Sequence, residues 1–223
     1  MSALSPFDTY AAHYDAWFSQ HQAVYQSELQ ALGRFIPAQG LGLEIGVGTG
    51  RFAAPLGVAM GVDPSAAMLA YACARGICVV QGRGEALPFR EAVFDYALLV
   101  TTLCFVRDVT AVLAHTRRVL RPGGRVVIGF IDRNSALGQA YVKRQNESVF
   151  YRQATFHAAP VVGRQLANAG FRLETWTQTL TRPLPQITAP EPARPGYGQG
   201  AFVVVAATAQ GNPRLPTGPF SPA

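Results

Sequence analysis

In the segment LEIGVGTGRF, Leu43 to Phe52, three glycines at alternate positions follow an acidic residue. Glu44 lies in an apolar run of strand type, and Gly46, Gly48 and Gly50 let the backbone turn tightly and approach a ligand where a Cβ would collide. At the carboxyl end of a buried strand this pattern suits a nucleotide-type ligand, although a plain glycine-rich turn uses the same residues. A dinucleotide fingerprint spaces its glycines GxGxxG; here the third glycine comes one residue early and Arg51 stands in its place. That spacing turns the reading away from NAD and hydride transfer. Further on, Asp63 in GVDPSAAML sits where an acidic strand end accepts hydrogen bonds from ribose hydroxyls, or where an aspartate caps a helix. Met68, one turn into that helix, suits either an adenine pocket or the helix core.

Few side chains offer proton transfer. His13 adjoins Tyr14 ahead of the sheet and His157 follows Phe156 beyond it, and these two are the candidate bases; Cys104, just past Thr101 and Thr102, is a third catalytic candidate that lines the pocket or is a small buried hydrophobe. His115, in AVLAHTRRVL, reads as a surface or packing residue of a helix. Asp132, Arg133 and Asn134 follow a strand at the edge where open α/β sheets bind ligands, and read either as acceptor contacts or as a helix-capping turn. The aromatics of SVFYRQATF suit an apolar acceptor pocket or a buried interface helix.

The elements that must position these residues alternate in type. Strand-length apolar runs fall near residues 41–46, 58–62, 77–80, 94–100 and 124–131, separated by helical patterns from Ser65 to Arg75 and from Val109 to Leu120. Ahead of them, Tyr10 to Phe35 has helical spacing, with Tyr10, Tyr14, Trp17 and Phe18 on one face. After the fifth strand, helices are expected over Ser135 to Phe150 and Val161 to Ala169, then a hairpin-like pair at 171–179 and 201–207. Between that pair lies a proline-rich irregular excursion. The expected division is a helical cap at 1–40, a main domain at 41–208 and an unstructured tail at 209–223.

Composition narrows the function classes. Among 223 residues, 49% are hydrophobic and 14% charged, enough apolar side chains for one core. The net charge is +6, but the arginines are scattered and no contiguous basic run marks a nucleic-acid surface. Three cysteines without a CxxC pair argue against a disulfide framework or a zinc site, and no metal is expected. No apolar run approaches the ~20 residues of a membrane span, and the first residues lack the pattern of an export signal, so a cytoplasmic protein is expected.

Taken in order, LEIGVGTGRF, GVDPSAAML, QGRGEALPF, FDYALLVTTLCFV and LRPGGRVVIGF resemble the class I S-adenosylmethionine-dependent methyltransferases, and in particular the ubiquinone and menaquinone biosynthesis branch. The likeness runs from about Tyr10 to Phe130. GFIDRNSALG, SVFYRQATFHAAPVVGRQLANAGF and PGYGQGAFVVVAA extend it along the chain toward a narrower group of uncharacterised bacterial and archaeal methyltransferases. The resemblance implies an α/β fold: a Rossmann-like, doubly wound, mostly parallel seven-stranded sheet with an antiparallel final strand and an N-terminal helical cap. It also implies S-adenosylmethionine as cofactor. Glu44 and the glycine loop would hold the methionine moiety, Asp63 the ribose, and Gly84, Glu85 and Ala86 the adenine; Thr101 would form the rim beside the sulfonium, and Tyr14 would fold over the cofactor. Relatives commonly carry an aspartate where this chain has Arg83, which offers the adenine amino group no acceptor. A small-molecule acceptor is the leading expectation. RNA or protein methylation and a non-catalytic binding protein are the other readings, and the oligomeric state is left open.

Overall fold

The computed structural model describes residues 5–210. Eight strands form one sheet in the order β3-β2-β1-β4-β5-β8-β6-β7. Strands β1 (Gly42–Ile45), β2 (Met60–Asp63), β3 (Cys78–Gln81), β4 (Phe94–Val100) and β5 (Leu120–Ile131) run parallel. The apolar runs of β1, β4 and β8 (Phe202–Ala209) are buried nearly throughout, as strands covered on both faces must be. Strand β8 is antiparallel to β5 on one side and to β6 (Phe171–Thr179) on the other, so the expected terminal pair forms.

The sheet has one strand more than expected. Within the proline-rich excursion, Arg194–Pro195 makes a two-residue strand, β7, paired with Thr177 and Gln178 at the sheet edge, where a missing N–H costs no ladder bond. The excursion is ordered: the buried Glu191 carboxylate accepts from Thr181 N–H at 2.6 Å and from Arg182 Nε at 2.6 Å. Strand β5 also starts earlier than the expected 124, at Leu120, and takes in the turn at Gly123, whose φ is +78°.

Helices cover both faces. One core layer joins Leu113 of α5 (Val109–Val119) and Leu166 of α7 (Ala159–Asn168) to the sheet; the other joins Phe18, Leu32 and Ala72 to it from the opposite side. The stretch expected to be one helical cap is three pieces, α1 (Pro6–Thr9), α2 (Ala11–Gln20) and α3 (Gln22–Gly33). The breaks fall at Tyr10 and His21, both with φ near −119° and outside the helical region. The helix expected to reach Phe150 stops at Lys143 (α6, Ala136–Lys143) and gives way to single turns at Gln145–Glu147 and Tyr151–Gln153. Of the expected tail, Ala209 ends β8, and residues 211–223 lie outside the described residues.

Strand order reverses between β1 and β4, so their carboxyl ends flank a topological switch point, where open α/β sheets take their ligands. The glycine loop follows β1, Asp63 ends β2, Thr101 follows β4 and Asp132 follows β5.

Candidate active site

Each of the three loop glycines has positive φ, +73° at Gly46, +52° at Gly48 and +79° at Gly50, but for different reasons. A Cβ at Gly46 would lie 2.5 Å from Thr102 Oγ1, and one at Gly50 would lie 2.5 Å from Ile77 Cδ1; these two are fixed by packing inside the protein. At Gly48 the nearest atom is Tyr14 Cε1 at 3.7 Å, so the space beside this glycine is a cradle open to a ligand. Its N–H donates to Asp63 Oδ2 at 3.0 Å, which ties the loop to the end of β2.

Asp63 is 9% exposed, and its other oxygen, Oδ1, accepts from Ser65 N–H at 2.9 Å. The cap of α4 (Ala66–Ala74) is Ser65, whose Oγ accepts from Met68 N–H at 3.2 Å. Helix capping is therefore another residue's work. Burial pushes the Asp63 carboxyl above its ordinary range, against the pull of its two backbone N–H donors.

Glu44 lies at 1% exposure, and its Oε2 has no hydrogen-bond partner. Burial and the nearby Asp63 push its carboxyl well above the usual range, while the Ala53 N–H works the other way. An orphaned carboxylate oxygen at the end of β1 and an open cradle at Gly48 fit a ligand carrying an ammonium group, as the methionine part of S-adenosylmethionine does. Thr101 holds a φ of +49°, rare for a β-branched residue, and its N–H donates to Gly129 O at 2.8 Å. Thr102 beside it bonds the carbonyls of Ile45 and Val100, both at 3.1 Å, and so fastens the ends of β1 and β4 together.

The residues expected near adenine follow β3. Gly84 packs against Ile45 and Val112, Ala86 donates its N–H to Arg83 O at 3.1 Å, and Glu85 Oε1 accepts from Arg107 N–H at 2.9 Å, which joins this loop to the one after β4. Arg83 is exposed. Met68 is fully buried in α4, at 1% exposure.

The cap is fastened onto the glycine loop. Asp15, 8% exposed on α2, accepts from Arg51 Nε at 2.9 Å and Nη2 at 2.7 Å and from Arg75 Nη2 at 2.9 Å, while Arg75 Nη1 also donates to Thr49 O at 2.7 Å. Burial alone would raise the Asp15 carboxyl, but bonds from Arg51, Thr49 and Arg75 hold it below its ordinary range. Neither Asp15 nor Arg51 was expected at the site. Tyr14, one residue earlier, stands with its ring by Gly48 and its hydroxyl bonded to the Thr101 side chain; burial raises its phenol, and Glu44 and Asp63 add to the shift.

Beyond Tyr14 and Thr101 opens a cavity of about 390 Å³ between α2, α3, Phe105 and residues 141–151. His13 lines it at the exposed mouth, and Phe150 and Tyr151 of the SVFYRQATF segment line its wall. His157 and Cys104 line instead a small void of about 10 Å³, room for one water, which shares Thr101, Ile131 and Tyr151 with the large cavity. Burial and Arg133 lower the His157 imidazole, against its bond to the Leu103 backbone, and burial pushes the Cys104 thiol up to about 12. Asp132 Oδ1 accepts from Asn134 N–H at 3.0 Å and Ala159 N–H at 3.2 Å, the capping-turn reading of that residue. Sequence reasoning missed Glu28, which also lines the large cavity. Its signal was a carboxylate four residues from Val24 and from Leu32 on an apolar helix stripe.

A family model of a methyltransferase domain matches residues 43–128. The chain is 42% identical over 204 residues to an uncharacterised protein of Methanocaldococcus jannaschii, spanning 92% of this chain and 98% of that one. A Thermotoga maritima crystal structure, described as an S-adenosylmethionine-dependent methyltransferase and possible histamine N-methyltransferase, superposes with a TM-score of 0.90 at 42% identity and covers 92% of this chain and 99% of its own. A demethylmenaquinone methyltransferase of Mycobacterium marinum is 42% identical over 66 residues, 30% of this chain and 29% of that one. A Rossmann-like sheet of this order, with a glycine cradle at its switch point, is the architecture of a nucleotide- or nucleoside-binding α/β protein. More particularly, the chain belongs to the class I S-adenosylmethionine-dependent methyltransferases, and S-adenosylmethionine is its cofactor. Among the described residues no helix is long and apolar enough to cross a membrane.

Proposed function

We propose that this methyltransferase acts on a small molecule held in the 390 Å³ cavity beneath the cap helices. One observation carries the reading. The cavity shares Phe52, Tyr14 and Thr101 with the glycine loop and its surroundings, yet none of Gly46, Gly48, Gly50 or Asp63 lines it. It is a second compartment beside the cofactor's. Its volume lies toward the lower end of the ~300–1,000 Å³ typical of small-molecule sites. The Thermotoga maritima structure's description names an amine acceptor, which is of that size class.

In this reading Glu44 and the Gly48 cradle hold the methionine part of the cofactor, Asp63 accepts from the ribose hydroxyls, residues 84–86 border the adenine, and Thr101 and Tyr14 form the wall between cofactor and acceptor. When bound, S-adenosylmethionine supplies an electrophilic methyl on sulfur, which an acceptor lone pair takes as the carbon–sulfur bond breaks and its electrons return to sulfur. The protein's contribution is positioning and water exclusion. The aromatic wall keeps the compartment dry, and the Asp15 bonds keep the cap closed over the loop. Calorimetry with the demethylated product, S-adenosylhomocysteine, tests the cofactor half. A structure of that complex tests the acceptor half: the cavity should stay open beside the sulfur, and a cofactor that filled it would refute the assignment.

A further inference from the structure

We propose, resting on the reading of this cavity as the acceptor site, that its acceptor is a small protonated amine whose ammonium pairs with the Glu28 carboxylate. Glu28 projects from the apolar face of α3, between Val24 and Leu32, and is 5% exposed. No hydrogen bond or ion pair reaches its carboxyl among the described residues. A buried carboxyl without a partner costs stability, and neither helix nor sheet uses this one. It faces the cavity.

The rest of the lining has the chemistry of a cation site. Eight of its fifteen residues are Phe, Tyr or Trp, whose ring faces attract a cation, and Tyr14, Trp17 and Tyr141 are among them. Of the other charged residues, Arg144 and Glu147 bond each other at 2.9 Å and stand 76% and 65% exposed at the mouth, so they cancel there. His13 is exposed at the same mouth. Glu28 is left as the one interior carboxyl. Only a cation gives its ionised form a partner in this compartment; an anionic acceptor would meet like charge if it ionised, and a neutral acceptor would leave it the protonated acid.

The proton balance fits as well. Burial pushes the empty Glu28 carboxyl up to about 8, so without a ligand it is largely protonated at neutral pH. The facing phenols of Tyr14, Tyr141 and Tyr151 are raised in turn by burial, with Glu28 a smaller contributor, and stay neutral. An ammonium stabilises the carboxylate and expels its proton to solvent on binding. Within the complex the ammonium gives one N–H proton to Glu28, which becomes the neutral acid that burial favours, and the nitrogen keeps the lone pair it needs for methylation.

The test is calorimetry on the full chain with 2-phenylethylamine and tyramine as ammonium probes, 2-phenylethanol as the neutral isostere and 3-phenylpropionate as the anion. At pH 7 at least one ammonium probe should bind ten times more tightly than the alcohol, and the anion should not bind. Repeating the titration in phosphate and in Tris should show a proton released, approaching one per site. Glu28→Gln should bring amine and alcohol within about twofold and abolish the release. S-adenosylhomocysteine affinity, measured on the same samples, should not change. Equal binding of amine and alcohol to the unaltered chain, no binding of either amine, or an ammonium preference that survives Glu28→Gln overturns the proposal. If S-adenosylhomocysteine binds throughout, the methyltransferase reading survives that failure; if it never binds, that reading falls first.

Discussion

Gly46 and Gly48 stand in the same loop but answer to different neighbours, and substitution separates them. Gly46→Ala would drive a methyl group into Thr102, whose hydroxyl fastens β1 to β4, so the change should destabilise the fold by several kcal/mol. Gly48→Ala meets only Tyr14 at 3.7 Å and carries the strain of a φ of +52°, about 1–2 kcal/mol. The Gly48→Ala variant should still fold, and its loss should appear as weakened S-adenosylhomocysteine binding. Thermal unfolding beside calorimetry distinguishes them; equal loss of stability at both positions would make the Gly48 cradle a packing feature. Asp63→Ala should weaken the same ligand roughly 5- to 150-fold, the 1–3 kcal/mol of a charge-assisted hydrogen bond, while α4 keeps its Ser65 cap and its helicity. Unchanged affinity would remove the ribose role.

At the scale of elements, the cap is held by ions more than by a continuous helix. Asp15 joins α2 to the glycine loop through Arg51 and to the end of α4 through Arg75, with the guanidiniums only 22% and 25% exposed. Asp15→Asn leaves two partly buried cations facing a neutral amide and should cost about 1–3 kcal/mol, concentrated in faster amide exchange over α2. Uniform loss of protection across the sheet would mean that the cap does not open by itself. This joint also marks where sequence reading ran out. The glycine loop, Asp63 and the alternating strands were legible because each obeys a local rule: a period, a spacing or a residue type that a strand end needs. Asp15 and Arg51 are 36 residues apart and meet only once the chain has folded, so nothing local announced them. The breaks at Tyr10 and His21 were hidden for a related reason: aromatic spacing continues across them, while the chain gives up helical φ at both, and α1 packs against α4 where α3 packs against β5, β6 and β8. The two-residue β7 has no periodicity to read.

Over the whole molecule, three buried carboxyls, Glu28, Glu44 and Asp63, have raised values in the fold, and this sets how stability responds to pH. A raised carboxyl holds its proton after the unfolded chain has lost it, so its contribution is complete below the unfolded value, 4.5 for glutamate and 3.8 for aspartate, and drains away as pH rises through the folded value. Each such group costs up to about 1.4 kcal/mol per pH unit over that window. For Glu28 the window closes at about 8. His157 acts in the opposite sense: its lowered value makes the unfolded chain the better proton binder, so it restores some stability as pH rises toward 6.5. The lowered carboxyls of Asp15 and Glu191 give theirs up only in acid, below their ordinary values of 3.8 and 4.5. The free protein should therefore be most stable near pH 5 and lose several kcal/mol by pH 8, the reverse of a fold held mainly by surface ion pairs. Denaturant unfolding at pH 5, 6.5 and 8 measures the slope, and Glu28→Gln should make it shallower by roughly one proton's worth. A flat or rising profile in the unaltered chain would mean that these carboxyls reach water or a partner in the folded state. The same three groups line or border the two compartments, so the stability lost above pH 5 is the cost of holding the site open, and ligands that supply positive charge should return it.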